Sequence, residues 1–418
     1  MNSSYSIALM LNTLWLLFFL FAALSGTYHW LFLDQPEIFG AMVQSLFTMA
    51  ELSVQIMIVL FGTLTLWMGF LRIAEQAGII DRLGHWLTPL FKRLMPDVPA
   101  GHPALGLITL NFAANGLGLD NAATPIGLRA MHALQELNPD PKTATNAQIL
   151  FLVLNTSSLT LIPVSIFMYR LQQGATDPTM VFLPILLATS ASSLVGLITV
   201  CLVQRIRLWD PVLLLWLGTF MALFAFFIAS LATLSSAALN HVSSLLGSLS
   251  LLLIIFCFLF IGWRRKIPVY DSFVEGAKGG FQVGKELLPY LVAMLCAIGL
   301  LRSSGALDIV LSGIRWGVDA LGWDNRFVDA LPTALMRPFS GGASRALLIE
   351  TMQHFGVDSF AGLLAATFQG STETTFYVLA VYFGAVGIQR ARHAVPCALL
   401  ADGAGMLAAI AVSYWFYG

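Results

Sequence analysis

Apolar stretches long enough to cross a bilayer recur along this sequence, near residues 7–31, 54–71, 147–169, 180–204, 209–234, 243–262, 287–301, 359–386 and 393–416. A hydrocarbon core about 30 Å thick requires ~20 helical residues. Lipid offers no partners for backbone N–H and C=O groups, so a spanning chain must satisfy them within helices or a closed barrel. The stretches are rich in Leu, Ile, Phe and Ala and lack the short alternating segments of a barrel. Only 10% of the residues are charged, whereas a soluble surface draws on about 25%. The expected class is an all-α integral membrane protein. The run 7–24 lacks a basic flank, so a retained first span is expected rather than a cleaved signal.

Basic residues set the orientation. Clusters at 72–93, 129–142, 205/207, 264–266 and 390/392 are expected in the cytoplasm of a bacterium, with the chain multi-pass in its inner membrane. Residues 34–37 and 235–244 then fall outside, as does 302–330 despite three arginines. Two amphipathic pieces, 79–94 and 270–285, are expected to lie along the membrane surface.

Two segments are too interrupted to span. Residues 102–129 break at Asn115-Gly-Leu-Gly-Leu-Asp-Asn121, and 331–351 break at Ser340-Gly-Gly-Ala-Ser344. Short helical arms meeting at a glycine-rich tip suggest re-entrant hairpins. The order of elements also recurs. Leu71-Arg72 leads to a hairpin, then Asn155-Thr-Ser-Ser, then Pro184; Leu301-Arg302 leads to a hairpin, then Ser371-Thr-Glu-Thr-Thr, then Pro396. The charge assignment starts the first copy outside and the second inside, which makes them inverted-topology repeats, a design of secondary transporters. The expected organisation is an N-terminal helix (1–34), a first repeat (35–208), two linking helices (209–265) and a second repeat (266–418). Each repeat carries a re-entrant hairpin and a partly unwound transmembrane helix.

Polar groups inside spans are costly unless partnered or used. Asn155, Thr156, Ser157 and Ser158 can coordinate a cation or simply pack helices. Ser371, Thr372 and Glu373 interrupt a later span, and a carboxylate adds nothing to packing. Asp402 can accept a proton, bind a cation or pair with an arginine. Arg337 and Arg345 flank the second tip with Ser340. They serve either as static partners of Glu373, Glu350 or Asp402, or as attractors of an anion at a helix N-terminus. Asp120 and Asn121 read as a helix N-cap or as ligands beside Asn115. The four cysteines stand singly, and no HExxH, GxSxG or phosphate-loop pattern occurs. No enzyme activity, metal or cofactor is expected. A net charge of -1 gives no basis for binding a nucleic acid polymer.

Specific stretches carry a resemblance. LRIAEQAGIIDRL, GLGLDNAATPIGLRAM and LNTSSLTLIP resemble the spore maturation protein A family. IPVYDSFVEGAKGGF, LMRPFSGGASRALLIE and QGSTETTFYVLAVYFGAVGIQRARHAVPCALLAD resemble the spore maturation protein B family. The chain is thus similar to a fusion of the two, covering roughly 40–205 and 266–416. Both families fall in the nucleoside-recognition Gate group, similar to concentrative nucleoside transporters and the membrane part of ferrous-iron permeases. The resemblance implies that each hairpin pairs with the unwound helix after it and that the two tips and two breaks converge on one site. That site would form where 115–121, 155–158, 340–345 and 371–375 meet; Arg337 and Arg345 depart from what a neutral nucleoside site needs. Joined with the residue reading, the expected contacts of a nucleoside-like, polar or anionic solute are Asn115, Asp120, Asn121, Arg337, Ser340, Arg345, Ser371, Thr372, Glu373 and Asp402. Asn155 to Ser158 would hold a coupling ion, sodium or proton. The expected partners are the solute and the lipid bilayer, with homo-oligomerisation left open. The alternative from another class is a non-transporting protein that assembles or regulates envelope machinery.

Overall fold

The computed structural model describes residues 3–99, 101–116, 120–157, 159–206 and 210–418. In chain order the helices are α1 (Ser3–Leu33), α2 (Ile38–Gln76), α3 (Ile79–Leu94), α4 (Pro103–Gly116), α5 (Asp120–Glu136), α6 (Asn146–Thr156), α7 (Val164–Gln172), α8 (Phe182–Val203), α9 (Pro211–Leu231) and α10 (Ser236–Arg264). The second half supplies α11 (Val269–Ser303), α12 (Ala306–Ala320), α13 (Leu331–Met336), α14 (Gly341–Phe355), α15 (Phe360–Ser371), α16 (Thr375–Ala385) and α17 (Ala394–Tyr417). Among the described residues there is no β-strand, and 7 helices have the length and apolarity to cross a membrane. They are α1, α2, α8 with its short leading 3-10 turn, α9, α10, α11 and α17. The protein is an all-α integral membrane protein.

The expected repeat is visible element by element. A long helix (α2 or α11) ends at a left-handed glycine, Gly78 at φ 59° or Gly305 at φ 76°. There the chain turns into an amphipathic helix (α3 or α12). A side chain at either glycine would be strained by the backbone alone. A helical hairpin follows (α4–α5 or α13–α14), then a helix broken in its middle (α6/α7 or α15/α16), then an unbroken span (α8 or α17). The first arm of the second hairpin has 6 residues, because Pro338 lacks the N–H needed to extend it.

Helices pack on their own counterparts: α2 against α11 and α8 against α17. This is what a two-fold axis in the membrane plane requires of inverted copies. The α2–α11 contact is made by small residues. A Cβ at Gly276 would lie 2.4 Å from the Met68 carbonyl oxygen, and one at Gly280 would lie 2.7 Å from that of Leu64. Segment 270–285 is therefore not a surface helix, as its amphipathic pattern suggested. It is the first half of α11, and its glycines let it lie directly on α2. Replacing Gly280 by alanine is expected to destabilise the fold by about 1–3 kcal/mol through overpacking. Gly62→Ala, with nothing near its Cβ, should be nearly silent. Thermal unfolding in detergent compares the two.

Each face has its own clasp between repeats. On the face carrying the basic clusters, the Ala144 amide donates to the Arg390 carbonyl at 3.0 Å, and the Arg390 guanidinium reaches Asp140 at 2.9 Å. The Thr143 hydroxyl and the Lys142 amide hold Asp140 below the usual carboxylate range, with Arg390 adding to them. On the opposite face, Arg170 is fully buried at the end of α7. Its guanidinium donates to the carbonyls of Pro178 (3.2 Å), Asp177 (3.0 Å) and Val357 (3.0 Å) and to the Asp358 carboxylate (2.8 Å). The hairpins thus enter from opposite faces: α4–α5 beside the first clasp, α13–α14 beside the second.

Candidate functional site: two helix breaks and a shared cavity

The broken helices meet at their breaks. The Glu373 amide donates to the Thr156 carbonyl at 2.8 Å, so backbone freed by one interruption satisfies backbone freed by the other. Each break is also bound to its own hairpin. In the first repeat the Leu161 amide donates to the Gly116 carbonyl at 3.1 Å, and Asn115 Nδ2 donates to Asn155 Oδ1 at 2.8 Å. In the second the Phe376 amide donates to the Pro338 carbonyl at 2.9 Å. Arg337 adds a stronger tie: its Nε donates to the Thr372 carbonyl at 2.7 Å, Nη2 contacts the same oxygen, and Nη2 lies 3.3 Å from Glu373 Oε2. The described ends of the hairpin arms and the two breaks therefore lie together; residues 117–119 of the first tip lie outside the described residues.

A cavity of about 850 Å³ includes residues of this junction in its lining. From the basic face it takes the half-buried Arg72 and the exposed Glu75, Asp81, Arg129 and Glu275. Arg72 bridges Glu75 and Glu275, each at 2.7 Å. From the second hairpin and break it takes Arg337, Arg345, Gln369 and Glu373. Trp67, Ile162 and Pro163 also line it. Glu373 keeps a third of its side chain accessible, whereas Arg337 is buried. Two guanidinium groups and a carboxylate thus share one cavity with apolar wall residues, the setting in which a few polar groups orient a small solute.

The remaining candidates divide. Ser340 caps α14 by accepting from the Ala343 amide, and Ser371 donates to the Phe368 carbonyl. Both serve local structure. Thr156 and Ser157 each donate back to the Val153 carbonyl, and Asn155 Nδ2 donates to the Phe151 carbonyl. The first cluster's donors are committed within its own helix. Ser158 lies outside the described residues, as do the side chains of Asp120 and Asn121, although α5 begins at Asp120. Asp402 is not on the cavity wall; it sits behind Thr375, whose hydroxyl donates to Oδ2 at 2.7 Å. Glu350 does not pair with Arg337 or Arg345. It lies far enough along α14 to meet Arg302 at the end of α11, with Nη2 to Oε2 at 3.0 Å.

Three polar residues escaped the sequence reading. Asn111 donates to the Ala123 carbonyl at 2.7 Å and closes the first hairpin. Tyr382 hydrogen-bonds to the side chains of Asn111 and Thr124, fastening α16 of the second repeat to the first hairpin. Gln369 accepts from Ser344 at 2.6 Å. The available signal was spacing: Asn111 lies four residues before Asn115 on the same helix, so the two share a face, and Gln369 lies on the last turn of α15, just before the break that holds Glu373.

Two inverted repeats, each with a re-entrant hairpin and a broken helix around one polar junction, define a multi-pass membrane protein of the Gate type. The family profile described as Gate, nucleoside recognition, matches residues 57–171 and 285–389, and the chain belongs to this family. It is 44% identical over 160 residues to spore maturation protein B of Bacillus subtilis (strain 168), covering 38% of this chain and 88% of that protein. It is 37% identical over 155 residues to spore maturation protein A of the same organism, covering 37% and 79% respectively. No solved structure matches.

Proposed function

We propose that this protein is a carrier in a bacterial plasma membrane that moves a small polar or anionic solute by alternating access, coupled to a cation. The observation that carries the reading is the cavity. Its lining takes in residues of the basic face, cytoplasmic by the positive-inside rule, together with Arg337, Arg345 and Glu373 beside the crossed breaks. A cavity shared between one membrane face and a junction of broken helices in inverted repeats is the arrangement that alternating access uses. The family description points to nucleosides; the two arginines favour a solute with negative charge, such as a nucleotide or an organic carboxylate.

The test is a thermal-shift panel on the detergent-purified protein with nucleosides, nucleotides, organic anions, divalent metals and sodium. A solute that binds only the folded state at about 100 times its Kd adds about 2.7 kcal/mol of stability. The expected result is a concentration-dependent rise in Tm that is lost in Glu373→Gln and Arg345→Ala. The name shared by the two Bacillus relatives favours a second reading, an assembly or regulatory role in envelope maturation. It expects no solute to shift Tm and the same variants only to lower abundance.

A further inference from the structure

Asp402 is a membrane-embedded carboxyl that the cavity does not use. It is 1% exposed, in the middle of α17, against α8 and the second break. One oxygen, Oδ2, accepts from Thr375; the other, Oδ1, has no partner, and neither has the neighbouring buried hydroxyl of Thr372. The surroundings are tight. A Cβ added at Gly405, one turn along from Asp402, would lie 2.8 Å from Thr372 Cγ2 and 3.0 Å from Ser192 Cβ.

The charged groups whose fields reach Asp402 are Arg337 and Glu373, which are paired with each other. Arg337 spends its short contacts on the Thr372 carbonyl. The helices packed against α17 are α8, α15, α6, α10 and α16, and among the described residues none of them carries a buried charged side chain; the buried polar residues of α8 nearest in sequence to its contact at Ser192 are the uncharged Thr189 and Ser190. An ionised carboxylate held by one hydroxyl in this setting lacks the partners that a buried charge requires. A hard metal cation is a poor substitute, because it takes about six oxygens or more, and the Thr372 carbonyl is already bound to Arg337.

We propose that Asp402 is the proton-binding site of this protein, carrying a proton on its carboxyl in the present arrangement of the two breaks. The proton leaves when the second break rearranges and Arg337 or water reaches Oδ1. Its role in coupling rests on the carrier reading above; the presence of the proton does not.

The experiment is infrared spectroscopy of the purified protein in lipid vesicles near neutral pH, without any solute. The expected result is a protonated-carboxyl carbonyl band that disappears in Asp402→Asn and persists in Glu373→Gln. Should Asp402→Asn fail to fold, wild-type protein with isotopically labelled aspartate gives the same answer: the band shifts with that label and is unmoved by labelled glutamate. A spectrum with no aspartic-acid band, or one unchanged by the substitution, overturns the proposal. A protein that shows the band but binds and moves no solute would sink the carrier reading while leaving the protonated Asp402 in place.

Discussion

Replacing Arg337 by glutamine is expected to abolish solute-induced stabilisation and to lower the stability of the protein itself by about 3–5 kcal/mol. The guanidinium donates from Nε and Nη2 to the one Thr372 carbonyl that the break leaves free, and it carries the charge opposite Glu373. Glutamine can replace at most one of those donors, so a carbonyl in the membrane interior loses charge-assisted bonds worth about 1.5–3 kcal/mol each. The ion pair adds less, since a third of Glu373 is accessible to solvent and screening weakens it. Glu373→Gln separates the two effects. It should keep stability within about 1 kcal/mol yet lose the solute response. Paired thermal unfolding curves, with and without the panel's best solute, measure both quantities. Equal behaviour of the two variants would show that Arg337 does no more than Glu373.

The largest purely structural effect is expected at Arg170. Three backbone carbonyls and one carboxylate converge on a side chain with no accessible surface. Arg170→Met preserves most of the apolar stem but leaves those acceptors unsatisfied, at a cost of about 3–5 kcal/mol. Arg170→Lys should lose less, because one ammonium still satisfies part of the set, though without the planar fork. Asp358→Asn should cost the least, since its carboxylate is partly exposed. The ranking Met, then Lys, then the Asp358 variant, read as decreasing loss of Tm, is the expected outcome. A silent Arg170→Met would mean that the two repeats do not depend on this clasp.

Much of this architecture is legible in the sequence because its signals are local. Glycine-rich interruptions mark both hairpins. The hydroxyl runs after Leu154 and Gln369 mark the breaks, and the charge pattern of 79–94 matches α3 residue for residue. What escapes is long-range. Nothing near Thr156 announces that its carbonyl will receive the Glu373 amide 217 residues away. The amphipathic look of 270–285 misleads because glycine is read as neutral, whereas Gly276 and Gly280 form the surface that lies on α2. Likewise the partner of Glu350 depends on where α11 ends in depth, and hydropathy alone does not say.

The linking pair α9 and α10 has a consequence for stoichiometry. The two Bacillus proteins each align with under two-fifths of this chain, so the halves that resemble them are here one polypeptide. A covalent link replaces a bimolecular encounter by an intramolecular one. The junction at the crossed breaks then has no need of the affinity that would hold two freely diffusing subunits together. One messenger also supplies both halves in equal number. The halves therefore stay together even where that junction loosens.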